Sequence, residues 1–320
     1  MAERTKKPVL GSLSALCTVV ALPVIFSFAA CSPNEPVDEP ATSIDRISFT
    51  VQNFRVADDD PQTRTSLQDG NFIWAAGDTV GIYPNTGAQV YFAMESGAGT
   101  SAAVFDGGGW AFKSSATYYS YYPFIGNIYL DRHRIPVNYT GQKQTGTTGV
   151  SHIGPYAYMY TPATSLVDGN LSFSYTHLGC LIRVNLTLPA GNYTKLAITA
   201  PTKAFVKTGW FDLQSSSPAI VASGYTNQLT IDLENVTSDG STPFYVYLMS
   251  APVNLKGTEI TVSVLNDKKK ELQCKKTPSK DYAAAFTYGL GCSSWTEVAQ
   301  SMGLILDDWD DGGSIGGDAE

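Results

Sequence analysis

Short apolar segments, continuous or alternating with polar residues, recur along this chain from residue 47 to residue 265, and no long segment sustains a helical repeat. Ile47-Ser48-Phe49-Thr50-Val51, Thr79-Val80-Gly81-Ile82-Tyr83 and residues 117–122 are of this kind, as are 171–175, 180–188, 196–199, 229–233, 244–249 and 259–265. Alternation puts every second side chain on one face, so a strand buries that face and a helix does not. Turn-forming residues fill the gaps, as in Asp69-Gly70-Asn71, Asp168-Gly169-Asn170 and Pro189-Ala190-Gly191-Asn192. Many short strands so punctuated predict an all-β fold of the sandwich type. At 320 residues the chain has room for two sandwiches in tandem. Pro162, Asp168 and Gly169 place the break within residues 161–170. The best helical candidate, residues 294–302, is short.

Composition removes several function classes. Hydrophobic residues make up 43% and charged residues 16%, which suits a packed core and not a disordered chain. A net charge of −8 lacks the basic footprint of a nucleic-acid binder. His133, His152 and His177 stand at no metal-ligand spacing, and neither a GxSxG elbow nor a Walker loop occurs. Gly107-Gly108-Gly109-Trp110 reads as a hairpin turn, since no helix follows to bind phosphate. Asp307-Asp308-Trp309-Asp310-Asp311 reads as a solvated tail, because the EF-hand spacing is absent. A carboxylate pair for glycoside hydrolysis leaves no motif to find. The sequence therefore predicts no enzyme, no cofactor and no metal site. The run Tyr118-Tyr119-Ser120-Tyr121-Tyr122 could face sugars, but alternate packing into a sandwich core is the simpler reading.

The first thirty residues read as a targeting segment. Arg4, Lys6 and Lys7 precede an apolar stretch over residues 9–30. A membrane-spanning anchor needs about 20 apolar residues, but Pro23, Ser27, Ala29 and Ala30 favour a cleaved signal. Phe28-Ala29-Ala30-Cys31 resembles a bacterial lipobox, with Phe28 where Leu is usual. Cleavage would leave Cys31 as the lipidated first residue; the alternative is ordinary cleavage beside a structural Cys. Pro33, Glu35, Pro36, Asp38, Glu39 and Pro40 make the next stretch an extended tether. The expected organisation is a signal peptide over 1–30, a lipid-anchored tether over 31–45, sandwiches over 46–166 and 167–310, and a flexible polar tail over 311–320. Cys180 sits in an apolar run and reads as a core residue, while a Cys274–Cys292 disulfide stays open in an oxidising compartment.

Further motifs follow in order: a first strand over 47–56, Thr63-Arg64-Thr65, and Trp74-Ala75-Ala76-Gly77-Asp78-Thr79-Val80-Gly81-Ile82-Tyr83. Then come residues 118–124, Ile135-Pro136-Val137, Gln142-Lys143-Gln144, Phe173-Ser174-Tyr175-Thr176-His177-Leu178-Gly179-Cys180, and Trp309 in an Asp/Gly tail. With the lipobox, this order resembles the fimbrillin-like (Mfa-like) lipoproteins of Bacteroidales, the subunits of type V pili. The resemblance implies two transthyretin-like β-sandwiches and a structural or adhesive subunit (stalk, tip or anchor) of cell-surface fimbriae.

The resemblance also implies a mechanism. An Arg-specific protease cuts beside the first strand, the strand leaves, and a terminal strand of a neighbouring subunit fills the groove. The candidate displaced strand carries Ile47, Phe49 and Val51, and the candidate cuts are Arg64, Arg46 and Arg55. Arg64 lies in a polar loop where nicking is easiest. The candidate donor is Leu304, Ile305 and Leu306 with Trp309, an apolar stretch short for a groove-filling strand. Expected partners are other fimbrial subunits, the outer membrane through the lipid, and host or bacterial surface ligands, with no nucleic acid. The alternative reading is a monomeric surface lipoprotein that binds glycans through exposed aromatics such as Trp110 or Trp210.

Overall fold

Alternation along Arg46–Val51 sends Ile47, Phe49 and Val51 into a core and Ser48 and Thr50 to solvent, and the sheet around this strand follows from that polarity. A computed structural model describes residues 42–43, 46–57, 72–126 and 130–298. Cys31, Arg64 and the donor candidates Leu304, Ile305, Leu306 and Trp309 lie outside the described residues. The fold is all-β. Among the described residues the sole helix is a 3-10 turn at Ser151–Tyr156.

The first sheet has eight strands in the order Met159–Tyr160, Ser172–His177, Arg46–Val51, Ala102–Asp106, Val90–Ser96, Thr79–Pro84, Thr117–Tyr122 and Thr164–Ser165. Met159–Tyr160 also pairs with Thr117–Tyr122, so the sheet closes on itself. Its interior is aromatic: Phe49, Phe92, Phe105, Phe173, Trp74, Tyr121 and Tyr175 are fully buried. The run 117–122 packs inward, and its phenols find partners there. The Tyr121 hydroxyl donates to Gln89 (2.8 Å), Tyr122 to Asp78 (2.9 Å), and Tyr175 shares a hydrogen with Ser120. Burial keeps these phenols protonated, raising Tyr121 to about 12.

A second core lies between a six-stranded and a four-stranded sheet. The four-stranded sheet runs Phe244–Ser250, Cys180–Leu186, Phe286–Cys292 and Arg55–Val56. The six-stranded sheet runs Gln142–Thr145, Gln228–Ser238, Gly191–Thr199, Ile260–Asn266, Glu271–Lys276 and Thr296–Val298. Cys180–Leu186 is central, antiparallel to Phe244–Ser250 and parallel to Phe286–Cys292. Buried on both faces, it reads as a continuous apolar run broken by Arg183 and Asn185.

The halves of the chain interleave. Arg55–Val56, Ile135–Asn138 and Gln142–Thr145 all pair with strands from the later half. Ser172–His177 lies past the expected break near residue 166, yet it pairs with Arg46–Val51. Three local expectations need correction. The expected first strand over 47–56 stops at Val51, and Arg55–Val56 crosses to another sheet. The helix expected from residue 294 is instead a strand, Thr296–Val298, paired on Glu271–Lys276, because pairing outweighs the weak preference of a short segment. Gly107-Gly108-Gly109 does turn, with Gly108 and Gly109 at positive φ, but Ala102–Asp106 and the following Ala111–Phe112 do not pair with each other.

Candidate functional site

The candidate displaced strand lies in the middle of the first sheet. Arg46–Val51 runs parallel to Ser172–His177 on one side and antiparallel to Ala102–Asp106 on the other. Phe49 is 0% exposed and sits among Phe105, Phe173 and Tyr175 at ring separations of 4.7, 5.2 and 5.7 Å. Removing this strand would leave a slot walled by those rings and edged by two rows of unpaired main-chain groups. Such a slot accepts an extended peptide, with hydrogen bonds along the edges and pockets for alternate side chains.

Beyond Val51 the segment stays with the first core through Phe54 and then reaches the four-stranded sheet, where Ala57 packs against the second core. The Gln52 amide donates to the Tyr175 carbonyl (3.0 Å). Phe54 is buried, its ring 3.8 Å from that of His177. Burial pushes the His177 pKa down to about 3, with the Gln52 backbone as the opposing influence, so this imidazole is neutral at pH 7 and structural. Arg55–Val56 then becomes the outer strand of the four-stranded sheet, parallel to Phe286–Thr287. The Arg55 and Ala57 amides donate to Ala285 (2.9 Å) and Thr287 (3.0 Å), Lys280 Nζ donates to the Ala57 carbonyl (3.1 Å), and the Arg55 guanidinium lies 4.2 Å over the Phe286 ring. Val56 is 59% exposed. Residues 46–57 thus join both cores.

The candidate cuts fall unequally on this geometry. Arg46 stands in the ladder opposite Asp106, and Arg55 is held by main-chain bonds and its ring contact. A protease needs a free extended backbone, so either site demands local unfolding first. Of the alternative's aromatics, Trp110 is exposed, while Trp210 is half-buried with the Arg134 guanidinium 5.0 Å over its ring. His152 Nε2 bonds the Tyr247 carbonyl (2.8 Å), and exposed His133 meets Asp212 at 3.0 Å. Among the described residues no group of three His, Cys, Asp or Glu could hold a metal ion, and no helix is long and apolar enough to cross a membrane.

Sequence reasoning missed how the opposite edge of the four-stranded sheet is closed. Gln142 and Gln144 of Gln142–Thr145 are buried, and their amides act as a surrogate strand. Gln142 donates to the Met249 carbonyl (2.8 Å) and accepts from the Met249 amide (2.7 Å). Gln144 does the same with the Tyr245 carbonyl (2.9 Å) and the Tyr247 amide (3.0 Å). With His152 on the Tyr247 carbonyl, five outward main-chain groups of Phe244–Ser250 are satisfied by side chains. The signal was there in Gln-x-Gln, whose spacing puts both amides on one face of a strand.

No family model matches the chain, and no curated protein matches it. Solved structures do. A protein from Bacteroides ovatus, assigned to cell adhesion, aligns over 83% of this chain and 100% of its own at 12% identity with a TM-score of 0.53. A Bacteroides uniformis protein with the same assignment aligns over 79% of this chain and 96% of its own at 14% identity with a TM-score of 0.50. The chain shares their fold.

Proposed function

We propose that this protein is a structural or adhesive subunit of cell-surface fimbriae that assembles by strand exchange. One observation carries the reading: a strand beginning at Arg46 fills the centre of a closed aromatic core, between one parallel and one antiparallel neighbour. A central strand near one end of a chain is the part of a sheet that a cut can detach without severing the rest. The shared fold with Bacteroides proteins assigned to cell adhesion supports it, as does the resemblance of the motifs to fimbrillin-like lipoproteins. In this reading Cys31 carries the lipid that holds the precursor to the outer membrane. Arg64, between Ala57 and Phe72, is the preferred cut because Arg46 and Arg55 are held in ladders. The donor is Leu304, Ile305 and Leu306 with Trp309, reaching into a neighbour's slot.

The cut alone does not open the slot, since residues 46–57 remain bonded to both cores. Release needs a competing strand. The full chain treated with an Arg-specific protease should give one early cut at Arg64, mapped by mass spectrometry. Its N-terminal fragment should co-migrate with the body under native conditions and leave when fibres or ladders form. Early cutting elsewhere, or fragment loss without any polymer, would sink this reading and return the chain to a stand-alone lipoprotein that binds glycans.

A further inference from the structure

The second core holds two cysteines on opposing sheets. Cys274 lies on Glu271–Lys276 of the six-stranded sheet, and Cys292 ends Phe286–Cys292 of the four-stranded sheet. Both side chains point into the same cluster, both are buried, and both are free thiols. Four residues past Cys292 the chain reaches Thr296, which pairs with Gln273, the neighbour of Cys274, so both thiols stand at the same end of this core. Cys180, the third, contacts the Ala251 carbonyl at 3.7 Å instead. We propose that Cys274 and Cys292 form an inter-sheet disulfide when the chain folds outside the cytoplasm. The oxidising compartment rests on the surface reading above; the pairing rests on the geometry alone.

The chemistry is thiol–disulfide exchange with an oxidised dithiol protein or glutathione disulfide. The Cys274 thiolate attacks one sulfur of the oxidant's disulfide, forms a mixed disulfide and expels one oxidant thiolate. The Cys292 thiolate then attacks the Cys274 sulfur and expels the second. Two electrons pass to the oxidant, whose two sulfurs take up the two thiol protons. Timing matters, because the folded site resists this attack: burial and then the Cys274 thiol raise the pKa of Cys292, leaving little thiolate. Exchange therefore precedes closure of the core, and the finished bond is shielded from reductant. It fastens Glu271–Lys276, and with it Thr296–Val298, the last described strand before the candidate donor, to the opposite sheet.

The test compares full chain recovered from the bacterial envelope with the same chain made in the cytosol. Both are acid-quenched, denatured, alkylated and digested with trypsin without reduction. Envelope protein should yield a linked pair, residues 271–275 joined to 281–320, with Cys180 alkylated. Cytosolic protein should yield Cys274 and Cys292 both alkylated. Refolding the cytosolic chain in glutathione disulfide should form the same pair and raise Tm by roughly 5–10 °C, with no rise in Cys274→Ser. Adding glutathione disulfide after folding should form it far more slowly. Soluble envelope protein with Cys274 and Cys292 both alkylated overturns the disulfide and leaves the fimbrial reading standing. A chain absent from the envelope overturns that reading, and the refolding arm still decides the pairing: a link to Cys180, or none, overturns it.

Discussion

The two long edges of the four-stranded sheet are closed by different means. On one, Gln142, Gln144 and His152 meet the outward main-chain groups of Phe244–Ser250 with side chains from one continuous stretch of the chain body. On the other, Arg55–Val56 meets Phe286–Thr287 with its own backbone. The first spans Tyr245 to Met249, whereas the second covers only the start of Phe286–Cys292. Only the second depends on a segment that a single cut can separate from the body. Hydrogen-bond count does not distinguish an edge closed by the chain body from one closed by a separable segment; chain connectivity does.

The comparison can be broken most forcefully through the strand that leads to the separable segment. Phe49→Ala removes a fully buried ring and should cost about 3–5 kcal/mol, read as a lowered denaturation midpoint and early loss of the first strand after proteolysis. An unchanged midpoint would show that the strand is held by its backbone alone. The edge closed by the chain body comes next. Gln142→Ala leaves main-chain groups of Met249 unpaired and Gln144→Ala those of Tyr245 and Tyr247, at about 1–3 kcal/mol each. The double variant should also self-associate in size-exclusion chromatography through its bared edge. If it stays monomeric with full stability, the amides do not seal the edge.

Acid probes both sides at once. His177 under Phe54 and His152 on Tyr247 have pKa values lowered by burial, so the unfolded chain takes up protons more readily than the folded one. Their contribution to stability is whole above about pH 6.5 and is lost as pH falls towards the folded value of about 3 for His177. Denaturation midpoints should fall through this window, and His177→Phe should flatten the slope. The smallest effect is expected from Arg55→Ala, which removes the stacking on Phe286 at about 0.5–1 kcal/mol. Hydrogen exchange at the Arg55 and Ala57 amides should quicken, with Tyr247 and Met249 unaffected.

Much of this was legible in the chain. Ile47, Phe49 and Val51 declared a one-faced strand, because side-chain alternation is a local signal, whereas the alternate packing expected of residues 118–122 did not hold: the adjacent Tyr121 and Tyr122 are both buried. Pairing is not local. Nothing in Arg55–Val56 says that its partner lies at residues 286–287, and two residues are too few to show a period. Gln142 and Gln144 look solvent-facing by type, and burial suits them only because the edge of Phe244–Ser250 supplies partners. Ser172–His177 lies past the expected break near 166, and its parallel partner far upstream is invisible locally for a similar reason.

The glutamine suture also fixes valence. A sheet with both edges open could add strands in two directions, and its assemblies would branch or spread into plates. Here the side-chain amides cap one end of the four-stranded sheet, so that sheet can bind at most one foreign strand. Under the proposed exchange, a unit that receives on one side and gives through one terminal segment would grow by addition, end to end, into an unbranched thread. Two glutamines spaced like successive residues on one face of a strand would then set the dimensionality of such an assembly.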